Sequence, residues 1–232
     1  IDEMVFPSTL KSIGTWAFNH TYIKKVILPN TVQSIGKNAF CYCFSLTEVQ
    51  LPDSCSLGTN VFERCYKLEK INLPKNITAI PDGLFRLCKV LTDCPLHEGI
   101  VSVGTESFLC DYKYKANIPT TLKTVNNYAF YNTATDSIKL NPNMSIGQCA
   151  FYYCDLKELE VPTGCSLGEL AFAYNNPTLK HIVIHEDVSL GQGCFSSNNT
   201  LEAIELPTSF YTITNTNPIV RNCTKLKEVK LK

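Results

Sequence analysis

Twelve cysteines are the residues of this chain best equipped for chemistry. Thiolates can ligate metal, pair as disulfides or act as nucleophiles. An even count suits a disulfide framework, but 232 residues is long for a fold that depends on such staples. Zinc is disfavoured by spacing, since Cys41-x-Cys43 is not C-x-x-C and no other pair supplies a ligand set. The histidines, His20, His97, His181 and His185, are scattered. Glu186 and Asp187 adjoin His185, but successive turn residues rarely converge on one point, so a solvated turn is the simpler reading. Gly191-x-Gly193 is a weak hint of a phosphate loop, and neither G-x-S-x-G nor H-E-x-x-H occurs. The chain reads as non-enzymatic, with no cofactor and no metal site. Sequons at Asn19, Asn76, Asn143, Asn198 and Asn222 matter only in a eukaryotic secretory host.

The elements that must position these residues follow from a repeat. Phe recurs at 18, 40, 62, 85, 108, 130, 151, 172 and 195, in steps of 21 to 23 residues. Pro7, Pro29, Pro52, Pro74, Pro119, Pro162 and Pro207 run in phase with it, and His97 and His185 take the same slot where Pro is missing. Between the markers lies an aliphatic-Gly pair, as in Ile35-Gly36 and Leu167-Gly168. Ahead of each Pro slot sits a segment such as Leu46-x-x-Val49-x-Leu51. Its last positions alternate apolar, polar, apolar, the mark of a strand with one buried face. Pro then ends the strand, and the Gly supplies either a positive φ or room for a neighbouring backbone. The Ala-Phe pair plugs the convex side with a ring.

One such unit cannot bury its own apolar face, but a stack can. The reading is one solenoid domain over residues 1–232 with a single continuous parallel sheet. Right-handed crossovers and about ten turns give a curved rod roughly 50 Å long. The array begins and ends on strand segments, so the chain is expected to be part of a longer protein. Lysine plus arginine and aspartate plus glutamate each number 21, a zero balance that argues against nucleic-acid binding. No apolar run is long enough to insert in a membrane.

Within the repeat, Cys43, Cys65, Cys88 and Cys223 share one C-x-x-L slot. Cys154 takes it with one residue deleted, and Asn176 and Asn198 take it in coils without Cys. Cys55, Cys165, Cys94 and Cys194 replace buried residues, which leaves Cys41, Cys110 and Cys149 off the buried slots. The favoured reading is free thiols acting as small apolar side chains, with weak bonds to turn backbone. A disulfide ladder is disfavoured because in-register Cβ atoms lie about 5 Å apart, beyond the usual span. An irregular pair such as Cys88 with Cys110 stays open.

The pattern L-P-x-[ST]-[VL]-x-x-I-G-x-x-A-F-x-x-C-x-x-L-x-x-[IV]-x-L, clearest from Leu28 to Leu51, resembles the BspA-like leucine-rich repeats of bacterial and protist surface proteins. The fit is poorest at Lys113 to Ala116, where Lys113 falls on a Leu slot, and at Asn215 to Asn222, where the Phe is absent. The resemblance implies an α/β-type leucine-rich repeat solenoid of short parallel strands with turns and 3-10 segments. It also implies an extracellular or cell-surface location and an adhesin-type partner, either a host or microbial surface or matrix protein or a glycan.

Two surfaces are candidates for that contact. The outward strand positions read Lys25, Glu48, Lys70, Asp93, Lys115, Ser137, Glu158, His181, Ala203 and Glu228. The sign alternates over the first five, so neighbours can neutralise each other while forming a concave platform. The other is an aromatic strip after the Phe slot: Tyr42, Tyr131, Tyr152, Tyr153 and Tyr174. Those rings can serve an interface or simply cover the Phe plugs. Trp16 stands where later coils have Asn38 and Asn60, and it covers the coil edge or meets an absent segment. A passive stalk displaying a neighbouring domain is the alternative function.

Overall fold

The structure, a computed structural model, describes residues 3–175, 178–209 and 218–232. It is an all-parallel β-solenoid of about nine turns, with no helix among the described residues. The strand segments pair in the expected register: Lys25 with Glu48, Val26 with Val49, and Glu48 with Lys70. They form one ladder from Glu3–Met4 through Lys25–Ile27 and Glu48–Gln50 to Lys70–Ile71. A second runs through Glu158–Val161, His181–Ile184, Ala203–Leu206 and Glu228–Leu231. Between them only a single bridge, Lys70 to Asp93, continues the pairing, so the expected continuous sheet is interrupted.

The interruption has local causes. Tyr114, not Lys113, fills the Leu slot; its ring stacks 4.3 Å from Phe108 and its hydroxyl donates to the Cys94 carbonyl at 3.0 Å. In the next coil the core receives Thr133 and Thr135, whose buried hydroxyls bond each other at 2.8 Å. Polar groups that must find partners inside displace the regular strand. At the other weak point Val220 stands in the Phe slot, and Asn215 to Asn217 lie outside the described residues.

The coils carry a further two-residue strand just before the repeat Gly, whose place Pro81 and Asn126 take in two of them. These form a three-strand ladder (Ser12–Ile13, Ser34–Ile35, Ser56–Leu57) and a six-strand ladder from Ala79–Ile80 to Ser189–Leu190. Proline opens the turn between the two strands of a coil, where the Val32 N–H reaches the Pro29 carbonyl at 3.0 Å. Of the two roles open to the repeat Gly, close approach is the one used. A Cβ on Gly191 would stand 2.5 Å from the Gly168 carbonyl carbon. The positive φ angles fall later, at Trp16, Asn38 and Asn60 and again at His20, Tyr42 and Arg64.

Nine phenylalanines stack inside the coil; Phe151 and Phe172, for example, lie 5.2 Å apart with planes 2° from parallel. One apolar cluster extends along this stack from Ile13 to Ile219. Trp16 is 53% exposed and covers little.

The C-x-x-L slot is a column of hydrogen-bond donors. Cys65, Cys88 and Cys154 donate to the carbonyls of Phe40, Phe62 and Phe130 in the preceding coil, at 3.1, 3.1 and 3.2 Å. Asn175, rather than Asn176, holds the slot in its coil and donates to Phe151 at 3.1 Å; Asn176 lies outside the described residues. Two expectations about cysteine fail: Cys41 and Cys149 are buried, because side chains of the adjoining coils close over the turn. Burial also pushes the Cys41 thiol up to about 12.

All twelve cysteines are free, and only Cys110 and Cys223 are partly exposed. Titration with a thiol reagent is expected to find about two reactive groups in the native protein and about twelve after unfolding. Four or more disulfides by mass spectrometry would contradict this assignment.

Candidate ligand-binding site

Parallel pairing brings the outward strand positions into a row, since each strand sits one coil from the next. Two of the expected pairs close: Lys25 to Glu48 at 3.0 Å and Lys70 to Asp93 at 3.7 Å. Elsewhere the partners differ from the row. Lys115 bonds Asp136 at 2.9 Å instead of facing Ser137, and this hydrogen bond holds the Asp136 carboxyl below its ordinary range. His181 meets Glu205 at 3.1 Å, and Lys232 pairs with the same carboxylate. Lys232 and then His181 keep the Glu205 carboxyl low. Side chains on this face reach to the next pleat as well as straight across, which is why spacing alone misplaced these partners. Glu158 and Glu228 hold their expected places in the row, in register with His181 and Ala203.

The Lys25–Glu48 and Lys70–Asp93 pairs are solvated, and exposed pairs are worth about 0–1 kcal/mol each. A ligand can therefore recruit them at little cost. The row also has relief. Glu48, Gln50, Lys70 and Asn72 line a hollow of about 390 Å³, and Asp93, Tyr114, Lys115 and Asn117 line another of about 190 Å³. Asn72 and Asn117 escaped the sequence reading. Each amide accepts from and donates to one residue of the preceding coil, Asn72 with Leu51 and Asn117 with Leu96. The signal was an Asn at the outward position of the strand segment, where an amide can extend the backbone ladder.

The tyrosine strip divides in two. Tyr42 stacks 4.4 Å from His20, with the Arg64 guanidinium 4.9 Å from its ring. Arg86 follows, 3.1 Å from Glu106, so ion pairs separate Tyr42 from the other rings. The second group is continuous: Tyr131 lies 5.0 Å from Tyr152 at 3°, and Tyr152 lies 5.0 Å from Tyr174. Tyr153 stacks 6.0 Å from Tyr174. Burial pushes the Tyr152 hydroxyl up to about 12, so it stays a neutral donor at physiological pH.

Of the remaining candidates, His97 ties its turn to the preceding coil, with Nδ1 2.8 Å from the Glu98 carbonyl and Nε2 3.0 Å from the Pro74 carbonyl. His185 lies 2.8 Å from Glu160, not with Glu186 or Asp187. Among the described residues no three His, Cys, Asp or Glu side chains gather as a metal-ligand set, and no helix is long and apolar enough to cross a membrane.

Comparison with known proteins supports the coil. A leucine-rich repeat protein from Bacteroides ovatus ATCC 8483 superposes with a TM-score of 0.62 at 24% identity, over 98% of this chain and 54% of that one. A leucine rich cell surface protein from Faecalibacterium prausnitzii A2-165 does so with a TM-score of 0.52 at 17% identity, over 96% of this chain and 83% of that one. At these identities the likeness is one of fold, and this chain spans about half the length of the B. ovatus protein. No curated protein matches. The family model described as BspA type Leucine rich repeat region (6 copies) matches residues 1–115, 55–145 and 123–232, and so takes in the whole array: the chain belongs to that family.

Proposed function

We propose that this chain is a non-enzymatic protein-interaction module of a cell-surface or secreted protein, serving adhesion through the strand face. Membership in the repeat family and the likeness to a leucine rich cell surface protein support this reading. The observation that carries it is the row of weakly paired charges opening into two hollows at Glu48/Lys70 and Asp93/Lys115. Solenoids use such extended faces as platforms, and paired charges of both signs suit a protein or glycan partner of mixed charge.

The test begins with immobilised extracellular-matrix and serum proteins and glycans, scored by surface plasmon resonance. For a ligand retained by the wild type, the double variant Lys25→Glu with Lys70→Glu is expected to weaken binding about tenfold, with the melting temperature shifted by only a few degrees. Undiminished binding by a folded double variant would place the contact on another face.

A further inference from the structure

The tyrosine stack on the turn face ends abruptly. Tyr131 and Tyr152 occupy the slot after Phe in successive coils, and Tyr153 and Tyr174 occupy the slot after that. Two coils beyond Tyr152 and one beyond Tyr174, the same slots hold Ser196 and Ser197. Where the rings stop, a hollow of about 300 Å³ opens, walled by Tyr152 and Tyr174 and bordered by Glu169, Gln192, Arg221 and Asn222. Small-molecule sites start at about this size, roughly 300–1,000 Å³.

We propose that this hollow is a subsite for a neutral saccharide, with one sugar ring continuing the tyrosine stack. Three observations carry it. The first is the geometry: Tyr152 lies 5.0 Å from Tyr131 and 5.0 Å from Tyr174, the last pair tilted by 37°, so the hollow adjoins an aromatic wall against which a ring-shaped ligand can lie. Tyrosine combines an apolar face with a polar tip, which suits the mixed surface of a sugar.

The second is the chemistry of the border. Glu169 accepts, Arg221 donates, and the Gln192 and Asn222 amides do both. Sugar hydroxyls also do both. One carboxylate and one guanidinium leave no net charge to attract an ionic ligand.

The third is the backbone. Tyr174 has φ of 59°, in the left-handed region, where Asn is several-fold better accepted than a bulky residue. The same slot carries Asn132 at 55° and Asn222 at 61°, so the coil accommodates Asn there. The sequence nevertheless places a tyrosine there in two successive coils, Tyr153 at 53% exposed and Tyr174 at 37%. The slot also holds His20, Arg64 and Leu87 at positive φ, so the coil imposes this conformation whatever the residue; what distinguishes Tyr153 and Tyr174 is that each leaves an aromatic ring accessible to a ligand.

That backbone argument also supplies the test. Cellotetraose, chitotetraose, laminaritetraose and mannotetraose at about 1 mM are examined by saturation-transfer NMR, which detects affinities in that weak range. At least one is expected to receive saturation on its ring protons from the wild type. Tyr174→Asn should cut that signal about tenfold while keeping or raising the melting temperature, because it removes the ring and suits the backbone. The Lys25→Glu/Lys70→Glu variant should retain the signal, which separates this subsite from the strand face. The proposal is overturned if no tetrasaccharide receives saturation, if Tyr174→Asn leaves the signal intact, or if the strand-face variant abolishes it. Binding of a proline-rich peptide with none of the sugars would assign the hollow to peptide recognition instead.

Discussion

Replacing Asp111 by Asn is expected to stabilise the protein, and by an amount that grows with pH. Asp111 lies three residues after Phe108, in the slot that Cys65, Cys88, Thr133 and Asn175 fill elsewhere. Cys65, Cys88 and Asn175 each donate a hydrogen bond to the Phe carbonyl of the preceding coil. A carboxylate cannot donate; only the protonated acid can. Asp111 is fully buried, and neither oxygen has a well-formed hydrogen bond; the one donor acting on it is the Cys88 backbone N–H, which is already bonded to the Phe85 carbonyl at 2.9 Å. Cys88, Cys94 and Tyr114 surround it, all held neutral by burial. Burial pushes the Asp111 carboxyl well above its ordinary range and outweighs the polar Cys88 backbone, which acts the other way. The folded state therefore keeps a proton that the unfolded chain releases near pH 4. Rising pH then favours unfolding, by about 1.4 kcal/mol per pH unit until the folded carboxyl itself ionises. Asn supplies the missing donor with no proton to lose, as Asn198 does to Phe172 at 3.0 Å. Urea unfolding of wild type and Asp111→Asn between about pH 5 and pH 8 should give curves that diverge with pH. Parallel curves would mean that the acid is not buried in its neutral form.

How far the sequence could reach depended on whether a feature repeated. The coil, the strand register and the outward row were legible because period 22 and period 2 are both strong signals in Lys25, Glu48 and Lys70 and the apolar residues beside them. The second ladder was not, since two residues such as Ser34–Ile35 are too short to show alternation. The Leu slot assigned to Lys113 falls one residue short of Tyr114, which follows Phe108 by six residues as Leu46 follows Phe40 and Leu68 follows Phe62. Cys41 and Cys149 looked exposed because burial by an adjoining coil leaves no mark in the local pattern. On the candidate sites, the tyrosine slots were visible, but not that Ser196 and Ser197 would leave a hollow beside them. Empty space is a property of what neighbouring coils fail to fill, and no single repeat encodes it.

The repeat glycine sets how closely coils can stack, so its replacement should be among the most damaging single changes. Gly168 does not lie in the left-handed region, and alanine is locally acceptable to its backbone. Its obstacle is the neighbouring coil: a Cβ there would stand 2.6 Å from the Gln148 nitrogen and 2.6 Å from the Gly147 carbonyl carbon. Both are backbone atoms, held in place by the bond from the Gly168 N–H to the Ile146 carbonyl at 2.7 Å. No rotamer change relieves the clash, so the coils must separate and lengthen that ladder. Overpacking a core commonly costs about 1–3 kcal/mol, and a clash with backbone belongs at the upper end. For a chain of this size, about 3 kcal/mol lowers the melting temperature by roughly 6–12 °C. Because coils contact only their neighbours, the damage should be centred on residues 147–191, and hydrogen exchange should be fastest there. Gly14 provides the control, since nothing lies within 4 Å of a Cβ at that position. Gly14→Ala should be neutral or stabilising by a few tenths of a kcal/mol, through loss of freedom in the unfolded chain. Calorimetry of the two variants distinguishes the mechanisms. Equal effects at both positions would show that backbone entropy governs these glycines, whereas a large loss confined to Gly168→Ala establishes coil-to-coil contact as the reason the repeat requires glycine.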